Sequence, residues 1–281
     1  MSTANKYMQS ASGVGGAGLN VEEVFSTYLY DGTGSSLTID NGIDLDGEGG
    51  MVWIKGRIQY SDHFVYDTER GAGKNIRTNK ALAQGTRTDD LTAFNSNGFS
   101  LSDYSEVNTN YSSGGVGYNY ASWTFRKAEK FFDVVTYTGD GTNNRQIAHN
   151  LGSVPGCIMI KMTSGQKDWK VYHRGLDSSN PENYKIHLNE SAARSDGSTL
   201  FDAPTDTHFI LDSNDDVNGN GDTHVAYSPT ITAMVTLALM VMLILSSVGV
   251  ILTQALHGLL ILDLNRNGFC VNLQMALAHG S

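Results

Sequence analysis

Between Val21 and Tyr227 the chain is a succession of short apolar runs separated by glycine- and asparagine-rich turns. Met51-Val52-Trp53-Ile54-Lys55 and Cys157-Ile158-Met159-Ile160-Lys161 are nearly continuous in apolar residues, as for a strand covered on both faces. Phe99-Ser100-Leu101-Ser102-Asp103 and Phe209-Ile210-Leu211-Asp212-Ser213 alternate, as for a strand with one wet face. Asp31-Gly32, Gly49-Gly50, Gly139-Asp140-Gly141 and Asn218-Gly219 mark the turns. Strands spaced about 8–12 residues apart predict an all-β chain, an antiparallel sandwich or jelly roll. Strand structure is expected from Val21 onward, after a Gly/Ser/Ala-rich lead at 1–20 that reads as flexible.

The runs recur in order. Leu29-Tyr30-Asp31-Gly32-Thr33-Gly34 matches Thr136-Tyr137-Thr138-Gly139-Asp140-Gly141, and the Met51 run matches the Cys157 run. Val65-Tyr66 and Arg70-Gly71 match Val171-Tyr172 and Arg174-Gly175; Ile76 and Asn79 match Ile186 and Asn189. Phe99, Leu101, Val107 and Asn108 match Phe209, Leu211, Val217 and Asn218, and Ala121-Ser122-Trp123 matches Val225-Ala226-Tyr227. A repeat this long can bury its own core, so the pattern predicts tandem sandwich units and not a solenoid. The expected division is a first unit at 21–127, a second at 128–227 with its last strand incomplete, and a tail at 228–281.

That tail carries Ile231 to Leu252, a stretch with no charged residue. About 20 apolar residues in a helix cross a bilayer, so one reading is a single membrane span at 231–252, which would be drawn as a helix. The repeat favours a second reading. Back-translation of the residues from Ser228 onward, read one base out of frame, permits the opening of a third copy: Tyr-Thr, Gly-Thr, Arg-x-Ile, Asn-apolar-Gly, Pro, then an apolar strand ending in Lys. The tail then marks a shifted reading frame and not a domain, and the nucleotide sequence around codon 227 separates the two.

Composition narrows the function. The net charge is −10, which argues against a binder of the nucleic-acid backbone. The N-terminus has no apolar core of signal-peptide length. Cys157 and Cys270 have no metal or redox spacing and set no disulfide framework.

Several motifs carry a family likeness: Val24-Phe25-Ser26-Thr27-Tyr28-Leu29-Tyr30, Asn41-Gly42-Ile43-Asp44-Leu45, Gly49-Gly50-Met51-Val52-Trp53-Ile54-Lys55, Asp67-Thr68-Glu69-Arg70-Gly71, Phe94-Asn95-Ser96-Asn97-Gly98-Phe99, Ala121-Ser122-Trp123-Thr124-Phe125-Arg126-Lys127, His149-Asn150-Leu151-Gly152-Ser153-Val154-Pro155-Gly156 and Tyr172-His173-Arg174-Gly175. With them the chain resembles tail-associated virion proteins of tailed phages, which carry repeated concanavalin A-like (laminin-G-like) β-sandwich modules. The resemblance covers about residues 20–227 and implies a place in the virion and a lectin-like fold. It supplies no catalytic residues.

Candidate chemistry is sparse. Asp212, Asn214, Asp216 and Asn218 alternate ahead of Gly219 and are the candidate calcium ligands, although no Glu closes the loop. A polar hairpin with Asn-Gly turn chemistry is the competing account. Asp40, Asp44, Asp46 and Glu48 read as a solvated turn sooner than a glycosidase pair. Trp53 and Trp123 sit in apolar strands and read as core, whereas Trp169 follows a polar turn and reads as a surface platform for a sugar ring. Trp169 and Tyr172 are therefore the ligand-binding candidates. Arg70 and Arg174 read as buried ion pairs. No Ser/His/Asp or Cys/His constellation emerges, so no catalytic residue and no organic cofactor is expected. The reading that results is a non-enzymatic adhesion module of a phage tail fibre or tip, with other virion subunits, further copies of itself and host glycans as partners. A membrane-anchored lectin-like protein and a polysaccharide-degrading enzyme are the alternatives.

Overall fold

The structure, a computed structural model, describes residues 19–57, 61–110 and 118–230. The membrane-span and frame-shift readings of residues 231–281, Cys270 and nearly all of the 1–20 lead lie outside the described residues. No helix among the described residues is long and apolar enough to cross a membrane.

The fold is all-β and antiparallel, as the alternation of runs and turns implies. In the first half the strands are β1 (Phe25–Asp31), β2 (Leu37–Asp40), β3 (Gly50–Gly56), β4 (His63–Asp67), β5 (Lys74–Arg77), β6 (Gly85–Thr86), β7 (Leu91–Asn95), β8 (Gly98–Leu101) and β9 (Asn119–Arg126). They form a large sheet, β1-β9-β3-β4-β5-β6, and a small one, β2-β8-β7. The second half contributes β10 (Phe132–Thr138), β11 (Arg145–Ala148), β12 (Cys157–Met162), β13 (Lys170–His173), β14 (Tyr184–Lys185), β15 (Ser195–Asp196), β16 (Phe201–Asp202), β17 (His208–Leu211) and β18 (Thr223–Pro229). Its sheets are β10-β18-β12-β13, β11-β17-β16 and β14-β15, the last joined to β13 by a bridge from Val171 to Ile186.

Two boundaries differ from the sequence-based expectation. Val21–Val24 is a one-turn helix, because the Asn20 side chain accepts the Glu22 N–H and caps it; the first strand begins at Phe25. The last strand does not stop at Tyr227. Ser228 and Pro229 stay paired with Asp133 and Phe132, and the Thr230 N–H donates to the Phe131 carbonyl at 2.9 Å. Ser228 and Pro229 do not resemble Thr124 and Phe125, but ladder pairing is a backbone interaction and does not need that likeness.

The continuous runs are covered on both faces, and the covering surfaces differ. From β3, Val52 and Ile54 point into a first-half core with Tyr30, Phe64, Tyr66, Phe99, Leu101 and Tyr120. From β12, Ile158 and Ile160 point into a second-half core with Tyr172, Phe201, Phe209 and Leu211. The opposite faces meet in a shared seam, where Phe25, Met51, Val65 and Phe125 pack with Phe131, Phe132, Trp169, Val225 and Tyr227. Each of these fully buried side chains contributes roughly 1.5–3 kcal/mol relative to exposure.

A charged group crosses the seam. Arg70 Nε donates to Asp67 Oδ2 at 2.6 Å, and Arg70 Nη2 donates to the Val65 carbonyl and the Tyr227 hydroxyl at 3.1 and 3.2 Å. The Tyr227 hydroxyl in turn donates to Asp67 Oδ2 at 2.6 Å. Burial, opposed by the Arg70 charge and aided by the Asp67 carboxylate, holds the Tyr227 phenol well above its ordinary range, so it stays a donor.

The turn motifs are fixed by a device that appears in each half. The Tyr30 hydroxyl donates to the Val107 carbonyl at 2.7 Å, and the Tyr137 hydroxyl donates to the Val217 carbonyl at 2.7 Å. Asn108 accepts the Thr33 N–H at 2.8 Å, and Asn218 accepts the Asp140 N–H at 3.1 Å. A Cβ on Gly32 or Gly139 would strike the carbonyl oxygen of Thr109 or Gly219, so only glycine lets the two backbones approach.

Candidate functional site

A cleft of about 250 Å³ opens in the second half, lined among others by Val154, Tyr172, Arg174, Asp177, Glu182 and Pro204. β13 delivers Tyr172, whose ring lies at 6.0 Å from Phe201 in the core behind it. Burial first, then the Glu182 carboxylate, push its phenol up to about 12, so it is a neutral hydroxyl. The segment after β13 builds the opposite wall. Asp177 Oδ1 accepts the N–H groups of Ser179 and Asn180 at 2.9 and 3.2 Å, which closes a turn and holds its carboxyl below the ordinary value. Arg194 braces that turn by donating to the Leu176 carbonyl and meeting Asp177. Pro181 then opens a 3₁₀ turn, Pro181–Asn183, that carries Glu182. Arg174 is exposed, and its backbone N–H is tied to the Gly156 carbonyl at 3.0 Å. Val154, 45% exposed, adds an apolar edge.

The arrangement sets one aromatic hydroxyl, one guanidinium, two carboxylates and a small apolar wall around a shallow space. Enclosed small-molecule sites run to roughly 300–1,000 Å³, so this cleft holds the edge of a ligand and not a whole cofactor. Asp177 already accepts several donors, which suits holding a turn better than exchanging a proton.

A family model described as a domain of unknown function, DUF7483, matches residues 21–230. The chain belongs to the DUF7483 family. No curated protein and no solved structure matches it. The DUF7483 span includes both halves, from the helical turn before β1 to the residue after β18, and so contains the cleft and the seam.

Within the DUF7483 span the predicted site residues separate. Tyr172 lines the cleft. Trp169 does not: it is 1% exposed, stacks on Tyr227 at 6.1 Å and donates its indole N–H to the Arg77 carbonyl at 2.8 Å. The surface platform expected there is corrected to a seam residue, because part of the surface that covers Trp169 comes from the other half. Trp53 and Trp123, half-buried and edge-on at 6.1 Å, border the same seam.

The calcium expectation is also corrected. Residues Asp215–Asn218 wind into a helical turn capped by Asn214, whose oxygen accepts the Asp216 N–H at 2.9 Å. Asp216 is ion-paired with Lys167 and Lys170 at 2.9 and 3.0 Å. Asn218 is buried and donates to the Thr142 carbonyl at 2.9 Å, while Asp212 accepts the Asn144 N–H at 3.3 Å. Each of the four residues is already engaged with a protein partner. Of the arginines, Arg70 forms a buried ion pair; Arg174 does not, because it faces the cleft. In the acidic turn, Asp44 accepts the Gly47 N–H at 2.8 Å and Glu48 meets Arg126 at 3.8 Å.

Sequence reasoning did not find a different cluster. Asp168, His187 and Glu190 bring one nitrogen and two carboxylate oxygens within 4.8 Å of one another. The signal was present in the repeat, since Asn79 matches Asn189 and the residues flanking those asparagines could have been compared.

Proposed function

We propose that the two halves are tandem copies of one concanavalin A-like jelly-roll module, and that the chain is a non-enzymatic adhesion part of a phage tail fibre or tip. In this reading the second copy takes the edge of a host surface glycan into the cleft beside Tyr172. Further copies of the chain and other virion subunits are its neighbours. The observation that carries the reading is the cleft itself, in which Arg174 stands open beside Glu182, with Tyr172, 3% exposed, lining the space from the core side. These groups match the donors and acceptors of a sugar's hydroxyls, and Val154 matches its apolar ring face. The recurring strand order supports the tandem reading, with β1-β9-β3-β4 answered by β10-β18-β12-β13 and β2-β8-β7 by β11-β17-β16. The phage assignment rests on the motif resemblance.

A glycan array probed with the chain and with its Arg174→Ala variant tests this. Retention of a defined set of glycans by the parent, lost in the variant, is the expected result. Release of soluble oligosaccharide from a retained polysaccharide would overturn the non-enzymatic reading, and equal retention by both proteins would remove the cleft from it.

A further inference from the structure

We infer that Asp168, His187 and Glu190 form a binding site for a divalent first-row transition metal of the zinc class, which replaces the cations built into the matching place of the first half. The argument rests on that internal comparison. In the first half Asn79 Oδ1 accepts the His63 N–H at 3.0 Å, and Asn79 Nδ2 donates to Asp62 Oδ1 at 2.8 Å. In the second half Asn189 Oδ1 accepts the Trp169 N–H at 2.9 Å, and Asn189 Nδ2 donates to Asp168 Oδ1 at 2.9 Å. The two asparagines hold their aspartates in the same way. The first-half carboxylate is then neutralised by protein cations, with Arg77 Nη1 at 3.2 Å from Asp62 Oδ2 and Lys80 Nζ at 3.7 Å from Asp62 Oδ1.

The positions of those two cations are filled differently in the second half. The bridge of Ile186 to Val171 corresponds to the pairing of Ile76 with Val65, so His187 stands where Arg77 stands and Glu190 where Lys80 stands. Two positive side chains have given way to an imidazole and a second carboxylate. His187 Nδ1 is buried, makes no hydrogen bond, and lies 3.8 Å from Asp168 Oδ2 and 3.9 Å from Glu190 Oε2. Donors around a zinc-class ion at about 2.0–2.2 Å lie roughly 3–3.6 Å apart, so modest side-chain rotation brings all three onto one ion. Two of the neighbouring amines are occupied elsewhere. Lys170 Nζ meets Asp216 at 3.0 Å, and Lys161 Nζ donates to the Met162 carbonyl at 2.7 Å. One nitrogen with two carboxylate oxygens suits a borderline metal; calcium takes oxygen ligands alone.

The ion would clasp the segment after β14 to the turn before β13, next to Trp169 and hence next to the seam. Untagged full-length chain, stripped with chelator and titrated with zinc chloride, manganese chloride and calcium chloride in a calorimeter, tests the site. One zinc per chain is expected, with a raised melting temperature and a change in tryptophan emission. The decisive variant is H187R/E190K, which copies the first half. It should fold, melt at or above the metal-free parent, and lose zinc affinity by more than the roughly 10–100-fold that loss of an outer-shell partner costs. Zinc binding that is equal in this variant, or absent from the parent, overturns the proposal; preference for calcium over zinc overturns the metal class.

Discussion

Arg70 and Arg174 follow matching strands, β4 and β13, in the two halves and turn opposite ways. Arg70 folds inward, is sealed by Asp67, Val65 and Tyr227, and ties the first half to the second. Arg174 points out over a cleft whose far wall is the turn braced by Asp177 and Arg194. The strands, the tyrosine clamps and the buried asparagines are common to both halves. What differs is the surface each half has free, since the seam has already used one face of each large sheet. Positions facing the seam are constrained by burial, and a charge admitted there must be fully partnered. Positions facing solvent carry no such constraint.

Paired substitutions can break that comparison. Arg70→Ala strands the Asp67 carboxylate in the seam and should lower unfolding free energy by about 3–5 kcal/mol, whereas Arg174→Ala should stay within about 0.5 kcal/mol. Urea denaturation of both variants measures this; equal losses would mean that Arg70 is not the tie described. Next in size are Tyr30→Phe and Tyr137→Phe. Each leaves a buried carbonyl, Val107 or Val217, without its donor and should cost about 1–3 kcal/mol. The two values should agree to within about 0.5 kcal/mol, and a wide split in their denaturation midpoints would show that the clamps are not equivalent.

The smallest expected effect is a pH dependence that sets one pair of matching positions apart. His63 and Trp169 occupy matching positions at the start of β4 and just before β13. Burial, then Lys55, bring the His63 imidazole down to about 4, against a weaker pull from Asp62. Because the folded value lies below the unfolded one, this stability is present above about 6.5 and is lost as pH falls through about 4. His63→Phe should flatten the melting-temperature profile between those limits, while Trp169→Phe should lower the whole profile without changing its slope. An unchanged slope in His63→Phe, recorded by calorimetry across that range, would exclude the assignment.

Much of the strand framework was legible. The Met51 and Cys157 runs could be read as doubly covered because strand periodicity is local and both faces were apolar. The turn glycines were legible for the same reason. What could not be read was which surface does the covering. Trp169 looked exposed because it follows a polar turn, Gly165 to Asp168, yet its indole is capped by the Arg77 carbonyl from the other half. The spacing of Asp212, Asn214, Asp216 and Asn218 suggested a metal loop, but the intervening backbone winds into a turn of helix and two lysines take up the Asp216 charge. Tyr172 was legible as a candidate; its partners Asp177 and Glu182 come from a segment without a counterpart of the same length in the first half. The Asp168, His187 and Glu190 cluster joins residues on either side of β13 and β14, and only the comparison of the halves exposes it.

The seam also governs how the molecule would carry a load. Each half has its incoming and outgoing strands side by side, with Phe25 opposite Phe125 and Phe132 opposite Pro229. Tension applied to such a pair from its open end would ordinarily peel the ladder one bond at a time, a weak geometry. Here the residues at those ends, Phe25, Phe125 and Phe132, are themselves embedded in the shared apolar seam. Peeling either half must first part the seam, so the two halves yield together, and a junction of a few residues behaves as a rivet in place of a hinge.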